Sequence, residues 1–220
     1  MREPVTVWDA PVRLFHWAIV VLVGTSWLTQ HEGWMSWHFY SGYAIGTLLL
    51  FRLAWGFVGS ETARFSQFLA GPRAALRHLR HLPRREPDEQ VGHNPAGGWM
   101  VLVMLALLAV QVGTGLCAND QADTYGPFAD ALGQSLSDRL TDIHVLTFTL
   151  IEIAVALHVA ALLAYAALKR HNLVRPMLTG RKPLPAHRTP PRLASPWLAA
   201  ALLAAAAGLV AFVLGRFGST

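Results

Sequence analysis

The sequence predicts an all-α integral membrane protein in which four helices form a bundle and a fifth, C-terminal transmembrane helix is added, with the N-terminus inside and the C-terminus outside. Three observations predict this class. Of the 220 residues, 53% are apolar and only 14% are charged. The mean hydropathy of +0.36 is too high for a water-soluble domain of this size. The apolar residues lie in five long runs with the charged residues between them, so a water-soluble enzyme is disfavoured.

Each of the five runs is long enough for a transmembrane helix, since about 20 helical residues cross a hydrocarbon core of roughly 30 Å. They cover residues 14–30, 38–59, 96–116, 142–168 and 195–215. The first run is expected to be a retained helix, because acids and a proline precede it and no small-residue cleavage site follows it. We therefore predict a four-helix bundle over residues 1–170, a basic, proline-rich cytoplasmic linker over 171–194 and an additional transmembrane helix over 195–220.

The Lys and Arg residues are distributed asymmetrically between the connections. Of the 18, two lie in the first 13 residues, six between the second and third runs, and seven between the fourth and fifth. The segments on the opposite side hold only Arg139 and Arg216. Because short basic loops stay in the cytoplasm, this asymmetry places the N-terminus inside. The net charge of +5 is then a signal of orientation, and no nucleic-acid partner is expected.

The connections on the two sides differ in character. The basic inner loops are interpreted either as a surface against anionic headgroups or a partner, or as a solvated cytoplasmic face. The outer connection over residues 118–141 is acidic, and its Gly, Ser and Asp residues predict an ordered loop with one short helix. Its acid could attract a basic soluble partner, or it could follow from the exclusion of positive charge from this side. These acids are Asp120, Asp123, Asp130 and Asp138.

The single cysteine, Cys117, limits the chemistry of the chain. One cysteine excludes intramolecular disulfides, Cys-rich zinc sites and Fe–S clusters. It also excludes covalent haem attachment through a C-x-x-C-H motif. Cys117 is interpreted as a small apolar residue at the outer end of the third helix.

The histidines are the informative polar residues. Six of the ten lie in connections, where solvated side chains are expected: His31, His78, His81, His93, His171 and His187. The other four lie within or at the ends of the predicted spans: His16, His38, His144 and His158. An ionisable group inside a membrane span is costly and is by default a hypothesis of function.

Helix direction gives the depth of these four histidines. His38 and His144 fall near the outer ends of the second and fourth helices, whereas His16 and His158 fall at the inner level. The 14 residues from His144 to His158 advance the helix by about 21 Å and end about 40° short of four full turns, so both imidazoles share one face. Each therefore has a partner at its own depth, His38 with His144 and His16 with His158.

Two level pairs of imidazoles between antiparallel helices are the arrangement that holds two bis-histidine haems, one above the other. Structural zinc is a rival, but it requires four ligands that converge on one point. A proton relay is another, but it would more naturally place its groups at graded depths. The spacing therefore favours two haem irons, one bound by His38 and His144 and the other by His16 and His158.

Glycines lie close to these histidines along the helices. Gly42 and Gly46 follow His38 by four and eight residues on the same helix face, where a missing side chain would let a porphyrin approach the backbone. Gly113 and Gly115 could act in the same way from the third helix. Ordinary helix packing through small residues is the alternative at all four positions.

Two charged residues fall within the spans. Arg52 lies 14 residues after His38 and could neutralise a haem propionate at the inner level, although snorkelling to the inner headgroups explains it as well. Glu152 is the one carboxylate of the bilayer interior and lies between His144 and His158. It could border a haem edge or a quinone pocket and exchange protons there, or be neutral and hydrogen-bonded within the bundle.

Four stretches carry a resemblance to a known family. They are V-W-D-A-P-V-R-L-F-H-W at residues 7–17, W-H-F-Y-S-G-Y at 37–43 with R-L-A-W-G-F at 52–57, P-A-G-G-W-M at 95–100, and D-I-H and A-L-H at 142–144 and 156–158. Over residues 8–170 the chain resembles the prokaryotic cytochrome b-561 and Ni/Fe-hydrogenase b-type cytochrome superfamily. In that family the matched histidines, His16, His38, His144 and His158, are the ligands of two b haems.

The resemblance implies a function. Members pass electrons between the quinone pool and a soluble or peripheral redox partner. The expected cofactors are two b haems, with a quinone or quinol of the bilayer as substrate and a periplasmic c-type cytochrome or redox enzyme as partner. The expected location is the bacterial inner membrane. The family core has four helices, so the fifth is a departure whose role is open between partner binding, covering a lipid face and oligomerisation.

Two alternatives to this electron carrier remain open. The first is a self-contained quinone reductase that takes electrons from a small donor such as superoxide, as the resemblance to some relatives implies. The second is a haem-free membrane transporter or scaffold that uses the histidines for metal or proton passage. An absorption spectrum without reduced b-type bands would exclude both haem hypotheses at once.

Overall fold

The computed structural model describes residues 2–81 and 90–218. In chain order its elements are β1 (Arg2–Thr6), α1 (Ala10–His31), α2 (Met35–Val58), a 3₁₀ turn (Glu61–Ala63), α3 (Phe65–Phe68), α4 (Pro72–Arg80), α5 (Pro95–Gly115), α6 (Ala129–Leu132), α7 (Gln134–Lys169), α8 (Val174–Thr179), β2 (Arg181–Pro185) and α9 (Pro196–Phe217). Within the described residues, five helices are long and apolar enough to cross a membrane: α1, α2, α5, α7 and α9. The five predicted spans are therefore confirmed. Arg84 and Arg85 of the basic inner loop lie outside the described residues.

One span is longer than its apolar run. Helix α7 begins at residue 134 rather than 142 and contains 36 residues, which corresponds to roughly 54 Å at 1.5 Å per residue. This length exceeds a hydrocarbon core of about 30 Å, and the additional turns at its start are polar. Gly133, with φ of 75°, separates α7 from α6. The helix therefore starts directly after a backbone position that favours glycine, eight residues before the apolar run, and ends one residue after the run.

Local side-chain chemistry fixes where two of the spans begin. At α1, the backbone N–H of Val12 donates to Oδ1 of Asp9 over 2.7 Å. At α5, the backbone N–H of Gly97 donates to Oδ1 of Asn94 over 2.7 Å. Asp and Asn accept in this way from the unsatisfied N–H groups of a first helical turn, and a proline at the first helical position of α5 has no N–H to satisfy.

The chain forms two compact units. Unit 1 comprises Met1–Phe15, Arg52–Val103 and Ala154–Ala200. Unit 2 comprises His16–Phe51, Met104–Ile153 and Ala201–Thr220.

Unit 1 contains the two-stranded sheet. Strands β1 and β2 pair antiparallel, with Arg2 opposite Pro185 and Thr6 opposite Arg181. The backbone N–H groups of Val7 and Trp8 continue the contact by donating to the carbonyl oxygen of Gly180. The segment 171–194, predicted as a linker, thus contains α8 and β2 and is hydrogen-bonded to the N-terminal segment.

Glycine is required at the end of α8. Gly180 has φ of 78°, and a Cβ at this position would lie 2.8 Å from the carbonyl oxygen of Trp8. The left-handed conformation and the close approach both favour a residue without a side chain. The core of unit 1 lies beside this turn, where the side chains of Val7, Trp55 and Leu184 are completely buried.

Unit 2 contains the connection between α5 and α7. The backbone N–H of Asn119 donates to Oγ1 of Thr141 over 2.9 Å, and its side-chain amide donates to Oγ of Ser137 over 2.6 Å. Oδ1 of Asp120 accepts from the backbone N–H groups of Thr124 and Ala122, and these bonds lower the pKa of Asp120. The connection is therefore ordered and carries one short helix, α6, as the sequence predicts.

Candidate functional site

His38 is held in a defined orientation by the helix that precedes it. It lies in the first part of α2, and its Nδ1 lies 2.9 Å from the carbonyl oxygen of Ser26 in α1. A carbonyl oxygen can only accept, so Nδ1 carries the hydrogen and the lone pair is at Nε2. The Oγ atoms of Ser26 and Ser41 are also hydrogen-bonded, which joins the two helices beside the imidazole.

His144 on α7 is held in the same manner by α5. Its Nδ1 lies 2.9 Å from the carbonyl oxygen of Gln111, and Oγ1 of Thr114 lies 3.3 Å from the same nitrogen. Its Nε2 accepts from the side-chain amide of Gln111 over 3.0 Å. The lone pair of His144 is thus also at Nε2, and the amide of Gln111 lies next to it.

Gly115 leaves the space that the His144 ring occupies. A Cβ at position 115 would lie 2.7 Å from Cε1 and 3.1 Å from Nδ1 of His144. By contrast, a Cβ at Gly113 would meet nothing within 4 Å. The sequence suggested a porphyrin contact at both positions, but at Gly115 the close neighbour is the imidazole itself.

The structure brings His38 and His144 together. Their ring centroids lie 6.3 Å apart, and both residues belong to unit 2. A metal–nitrogen bond is about 2 Å long, so two imidazoles on opposite sides of one metal ion have centroids roughly 6 Å apart. Histidine ligands also commonly donate their second N–H to a backbone carbonyl, as both of these do. The pair therefore fits a haem iron bound through the two Nε2 atoms, once the Gln111 amide moves aside.

The two glycines of α2 differ in their surroundings. A Cβ at Gly42 would meet nothing within 4 Å, so open space lies beside the backbone there. A Cβ at Gly46 would lie 3.2 Å from Cγ1 of Val112. Gly42 therefore fits the prediction of room for a macrocycle, whereas Gly46 makes the helix-packing contact that was its alternative interpretation.

His16 and His158 fall in different units. His16 belongs to unit 2 and is partly buried, with its ring 4.9 Å from that of Trp17. His158 belongs to unit 1 and is also partly buried. Their pairing remains a prediction from the sequence.

Arg52 is a buried cation of unit 1. Its side chain is only 2% exposed, so it does not extend to the membrane surface as snorkelling would require. One Nη2–H donates to the carbonyl oxygen of Ala63 over 3.3 Å, and the guanidinium lies 5.2 Å from the centre of the Phe65 ring. Its Nη1 is buried and has no hydrogen-bond partner among the described residues.

His78 and His93 are not solvated as the sequence suggested. His78 is hydrogen-bonded to the hydroxyl of Tyr165. The ring of His93 packs against Trp8 and Phe68, with centroid distances of 4.5 and 4.8 Å. Burial, with the positive charge of Arg52, lowers the pKa of His93 to about 3, so its imidazole is neutral.

Asp9 and Trp55 form a polar contact that the sequence analysis did not single out. Nε1 of the fully buried Trp55 donates to Oδ2 of Asp9 over 3.0 Å, while Oδ1 of Asp9 caps α1. The signal available in the sequence was the D-A-P tripeptide, which is typical of a helix start with an acidic cap and an early proline.

Glu152 lies on an exposed face of α7. It has no hydrogen bond to the part of the chain that the structure describes, so the interpretation as a carboxyl bonded within the bundle is not supported.

No three His, Cys, Asp or Glu side chains of residues 2–81 and 90–218 form a group that could hold a metal ion. The convergent ligand set of a structural zinc site is therefore not found among them.

Comparisons with known proteins agree on one family. A family model described as prokaryotic cytochrome b561 matches residues 7–180. A probable Ni/Fe-hydrogenase B-type cytochrome subunit of Rhodobacter capsulatus is 25% identical over an aligned length of 217 residues; the match covers 82% of this chain and 82% of the relative. A protein of the same description from Bradyrhizobium diazoefficiens is 24% identical over an aligned length of 215 residues; the match covers 82% of this chain and 87% of the relative. No solved structure matches.

Proposed function

The chain belongs to the prokaryotic cytochrome b561 family, and on this premise we propose that it carries electrons across the bacterial inner membrane through two b haems, each held by two histidines. Its five apolar helices make it a multi-pass membrane protein, and a b-type cytochrome family implies haem b and membrane electron transfer. Our proposal concerns the number of haems, the residues that bind them, and the electron donor and acceptor.

One observation carries the proposal. His38 and His144, from α2 and α7, lie with their ring centroids 6.3 Å apart, and each donates Nδ1–H to a backbone carbonyl of a further helix. Two neutral imidazoles with fixed tautomers are the ligand set of a bis-histidine haem. Gly42, beside open space one turn after His38, supports the approach of a flat ring to the backbone of α2.

The second haem is proposed from the sequence. His158 follows His144 by 14 residues on one face of α7, and His16 is at the matching depth on α1. The buried Arg52, with an unpartnered Nη1, supports an anionic group in unit 1, the unit of His158. One face of α7 would then supply a ligand to each haem.

When bound, haem supplies reversible one-electron transfer at its iron. The protein residues do the rest. The carbonyl oxygens of Ser26 and Gln111 orient the two imidazoles and increase their basicity by accepting the Nδ1 hydrogens. Apolar helices exclude water from the site, and a low dielectric favours the iron state with less net charge.

At one end of the path we propose a quinone or quinol of the bilayer. Glu152 supports this end, because it is an exposed carboxylate of a membrane-spanning helix, eight residues after His144. A carboxylate at that depth is costly unless it has a role, and quinol oxidation needs a proton acceptor. Glu152 would exchange protons with the quinone or quinol as electrons pass to or from the haem.

At the other end we propose a periplasmic redox enzyme or c-type cytochrome. The relatives from Rhodobacter and Bradyrhizobium are described as subunits of Ni/Fe-hydrogenase, which makes a redox enzyme the first choice of partner. The ordered connection between α5 and α7 carries Asp120 and Asp123 on exposed positions. Negative charge there would favour encounter with a partner of basic surface.

The proposal is tested by absorption spectroscopy of the purified protein and of single histidine variants. We expect reduced b-type bands and two haems per chain. His38→Ala and His144→Ala are each expected to lose one haem, the same one in both, while the other haem persists. His31→Ala is the matched control, because His31 is an exposed histidine of the same unit that stacks on Trp27.

Two results would contradict the proposal. A wild-type protein without reduced b-type bands would exclude haem altogether. If His38→Ala and His144→Ala removed different haems, the pairing would be wrong. The alternative of a self-contained quinone reductase is separated by a partner-free assay, since full-rate quinone reduction by superoxide alone would remove the need for a periplasmic partner.

A further inference from the structure

Arg52 is a buried positive charge that lacks a full set of partners. It is 2% exposed, and among the described residues it donates one hydrogen bond, to the carbonyl oxygen of Ala63 at 3.3 Å. Buried cations in proteins are normally paired with an anion, because the effective free-energy cost of burying an unpaired charge is roughly several kcal/mol. The buried and unpartnered Nη1 therefore marks a place where a negative group is expected.

The nearby carboxylate does not fill that place. Asp9 acts electrostatically on Arg52, but both of its oxygens are used elsewhere. Oδ1 accepts from the backbone N–H of Val12, and Oδ2 accepts from Nε1 of Trp55. Each oxygen of a carboxylate can accept a second hydrogen bond, but no hydrogen bond joins Asp9 to Arg52 among the described residues. We therefore expect the anion at Nη1 of Arg52 to be a bound group.

A second unpartnered nitrogen belongs to the same cluster. Nδ1 of His93 is buried and has no hydrogen-bond partner among the described residues. A continuous line of ring contacts joins it to Arg52: the guanidinium lies 5.2 Å from the Phe65 ring, Phe65 lies 5.8 Å from Phe68, and Phe68 lies 4.8 Å from His93. His158 belongs to the same unit, and the directions of α2 and α7 place it with Arg52 at the inner level.

We propose that Arg52 and His93 form a carboxylate-binding site beside His158, which holds the propionate groups of the haem ligated there. This inference rests on the proposed function, since it takes His158 as a haem ligand. The ligand class follows from the chemistry of the donors. A guanidinium forms charge-assisted hydrogen bonds with carboxylates, and a neutral imidazole donates one further N–H. The aromatic rings of Trp8, Phe65 and Phe68 exclude water and strengthen these bonds.

The consequence for the haem is electrostatic. Reduction adds one negative charge to the haem, and a positive charge next to its carboxylates favours that reduced state. Arg52 is thus expected to raise the midpoint potential of the His158 haem relative to that of the His38–His144 haem. His93 would contribute less, because its bond is formed by a neutral group.

The test is a spectroelectrochemical titration of the purified holoprotein, with the His158 haem identified as the one lost in His158→Ala. For Arg52→Gln we expect the ratio of reduced to oxidised His158 haem at a fixed ambient potential to fall by roughly tenfold. The other haem should be unchanged. Arg52→Lys keeps the charge and should recover most of the ratio. His93→Phe keeps the ring packing against Trp8 and Phe68 and should lower the ratio by a smaller factor.

The control is Arg73→Gln, which removes the same charge from an exposed position of α4 and should leave both potentials unchanged. If Arg52→Gln and His93→Phe retained both haems at wild-type potentials, this inference would be overturned while the proposed function would stand. If the Arg52→Gln shift appeared only after phospholipid was added back to delipidated protein, the anion would be a lipid phosphate, which also overturns it. A wild-type protein without haem would instead contradict the proposed function itself.

Discussion

Two kinds of environment separate the histidines of this chain. His38 and His144 each have Nδ1 within 2.9 Å of a backbone carbonyl, which fixes the tautomer and leaves Nε2 as the basic nitrogen. His93 has its ring between Trp8 and Phe68, and its Nδ1 has no hydrogen-bond partner among the described residues. At the scale of the residue, the same side chain therefore has a fixed tautomer in one place and a ring packed between aromatic side chains in another.

The close approach of Gly115 to His144 gives a prediction at this scale. In Gly115→Ala the new Cβ would lie 2.7 Å from Cε1 of His144, so the ring or the end of α5 must shift. Overpacking of this kind typically costs about 1–3 kcal/mol. We expect a lower melting temperature and partial loss or altered bands of the haem held by His38 and His144, measured by thermal denaturation and absorption spectroscopy.

Gly113→Ala is the matched control for this variant. It adds the same methyl group to α5 two residues earlier, where nothing lies within 4 Å. Its haem spectrum should equal that of the wild type, and its stability should be equal or slightly higher because alanine favours a helix over glycine. Equal behaviour of the two variants would show that the imidazole does not depend on the space at Gly115.

At the scale of the element, the start of α1 is joined to the end of α2 by one side chain. Asp9 caps α1 through the N–H of Val12 and also accepts from the indole of Trp55, and the Asp9 side chain is 6% exposed. In unit 1 the strands β1 and β2 also pair, so the segment after α7 is hydrogen-bonded to the N-terminal strand. Short polar contacts therefore organise unit 1, where much of the apolar surface is exposed as expected for helices in lipid.

Replacing Asp9 tests the importance of that contact. In Asp9→Ala the cap is lost, and the buried Nε1 of Trp55 loses the carboxylate oxygen to which it donates. Loss of a cap costs about 1 kcal/mol, and removal of the acceptor of a buried hydrogen bond costs about 1–3 kcal/mol more. We expect a clear fall in melting temperature, together with a changed near-ultraviolet circular dichroism of the tryptophans.

Asp123→Ala serves as the comparison, because Asp123 is an exposed aspartate of unit 2 and forms no hydrogen bond with the described residues. It should leave the free energy of unfolding within about 0.5 kcal/mol of the wild-type value, and the melting temperature should be nearly unchanged. A melting temperature of Asp9→Ala that matched that of Asp123→Ala would mean that solvent or lipid replaces the contact at no cost.

At the scale of the whole molecule, the charge distribution assigns a direction to the helices. Five successive spans alternate in direction, so every second connection lies on the same side of the membrane. The basic residues before α1, between α2 and α5, and between α7 and α9 fall on one such side. The connection between α5 and α7 lies on the other side and is acidic. We therefore expect the N-terminus in the cytoplasm and the C-terminus in the periplasm.

Labelling of introduced cysteines in intact cells tests this orientation. Cys117 is the only cysteine, so Cys117→Ala provides a cysteine-free background. In that background we expect Asp123→Cys to react with a membrane-impermeant thiol reagent and His187→Cys to react only after the cells are lysed. Both positions are exposed, so access across the membrane decides the result. The reverse pattern of labelling would invert the topology and with it the side of the redox partner.

The sequence by itself determined the five spans and the four histidines within them, and it predicts the directions of the spans. These follow from properties that a linear chain carries: the length of apolar runs, the count of Lys and Arg in each connection, and a helical period that places residues 14 apart on one face. The motifs of the first, second and fourth spans also identified the family, which the comparison over residues 7–180 confirmed.

Only the tertiary structure decided which partners those residues have. Three features depend on contacts between residues that are distant in sequence. They are the carbonyls that orient His38 and His144, the space that Gly115 leaves for the His144 ring, and the packing of His93 between Trp8 and Phe68. Residue type and spacing do not encode such contacts, because they depend on how side chains from different helices fill the same volume. For the same reason His93 was expected in solvent and Arg52 was left between a propionate and the headgroups. The ring contacts and the buried Nδ1 of His93, and the burial of the Arg52 side chain, became evident only in the tertiary structure.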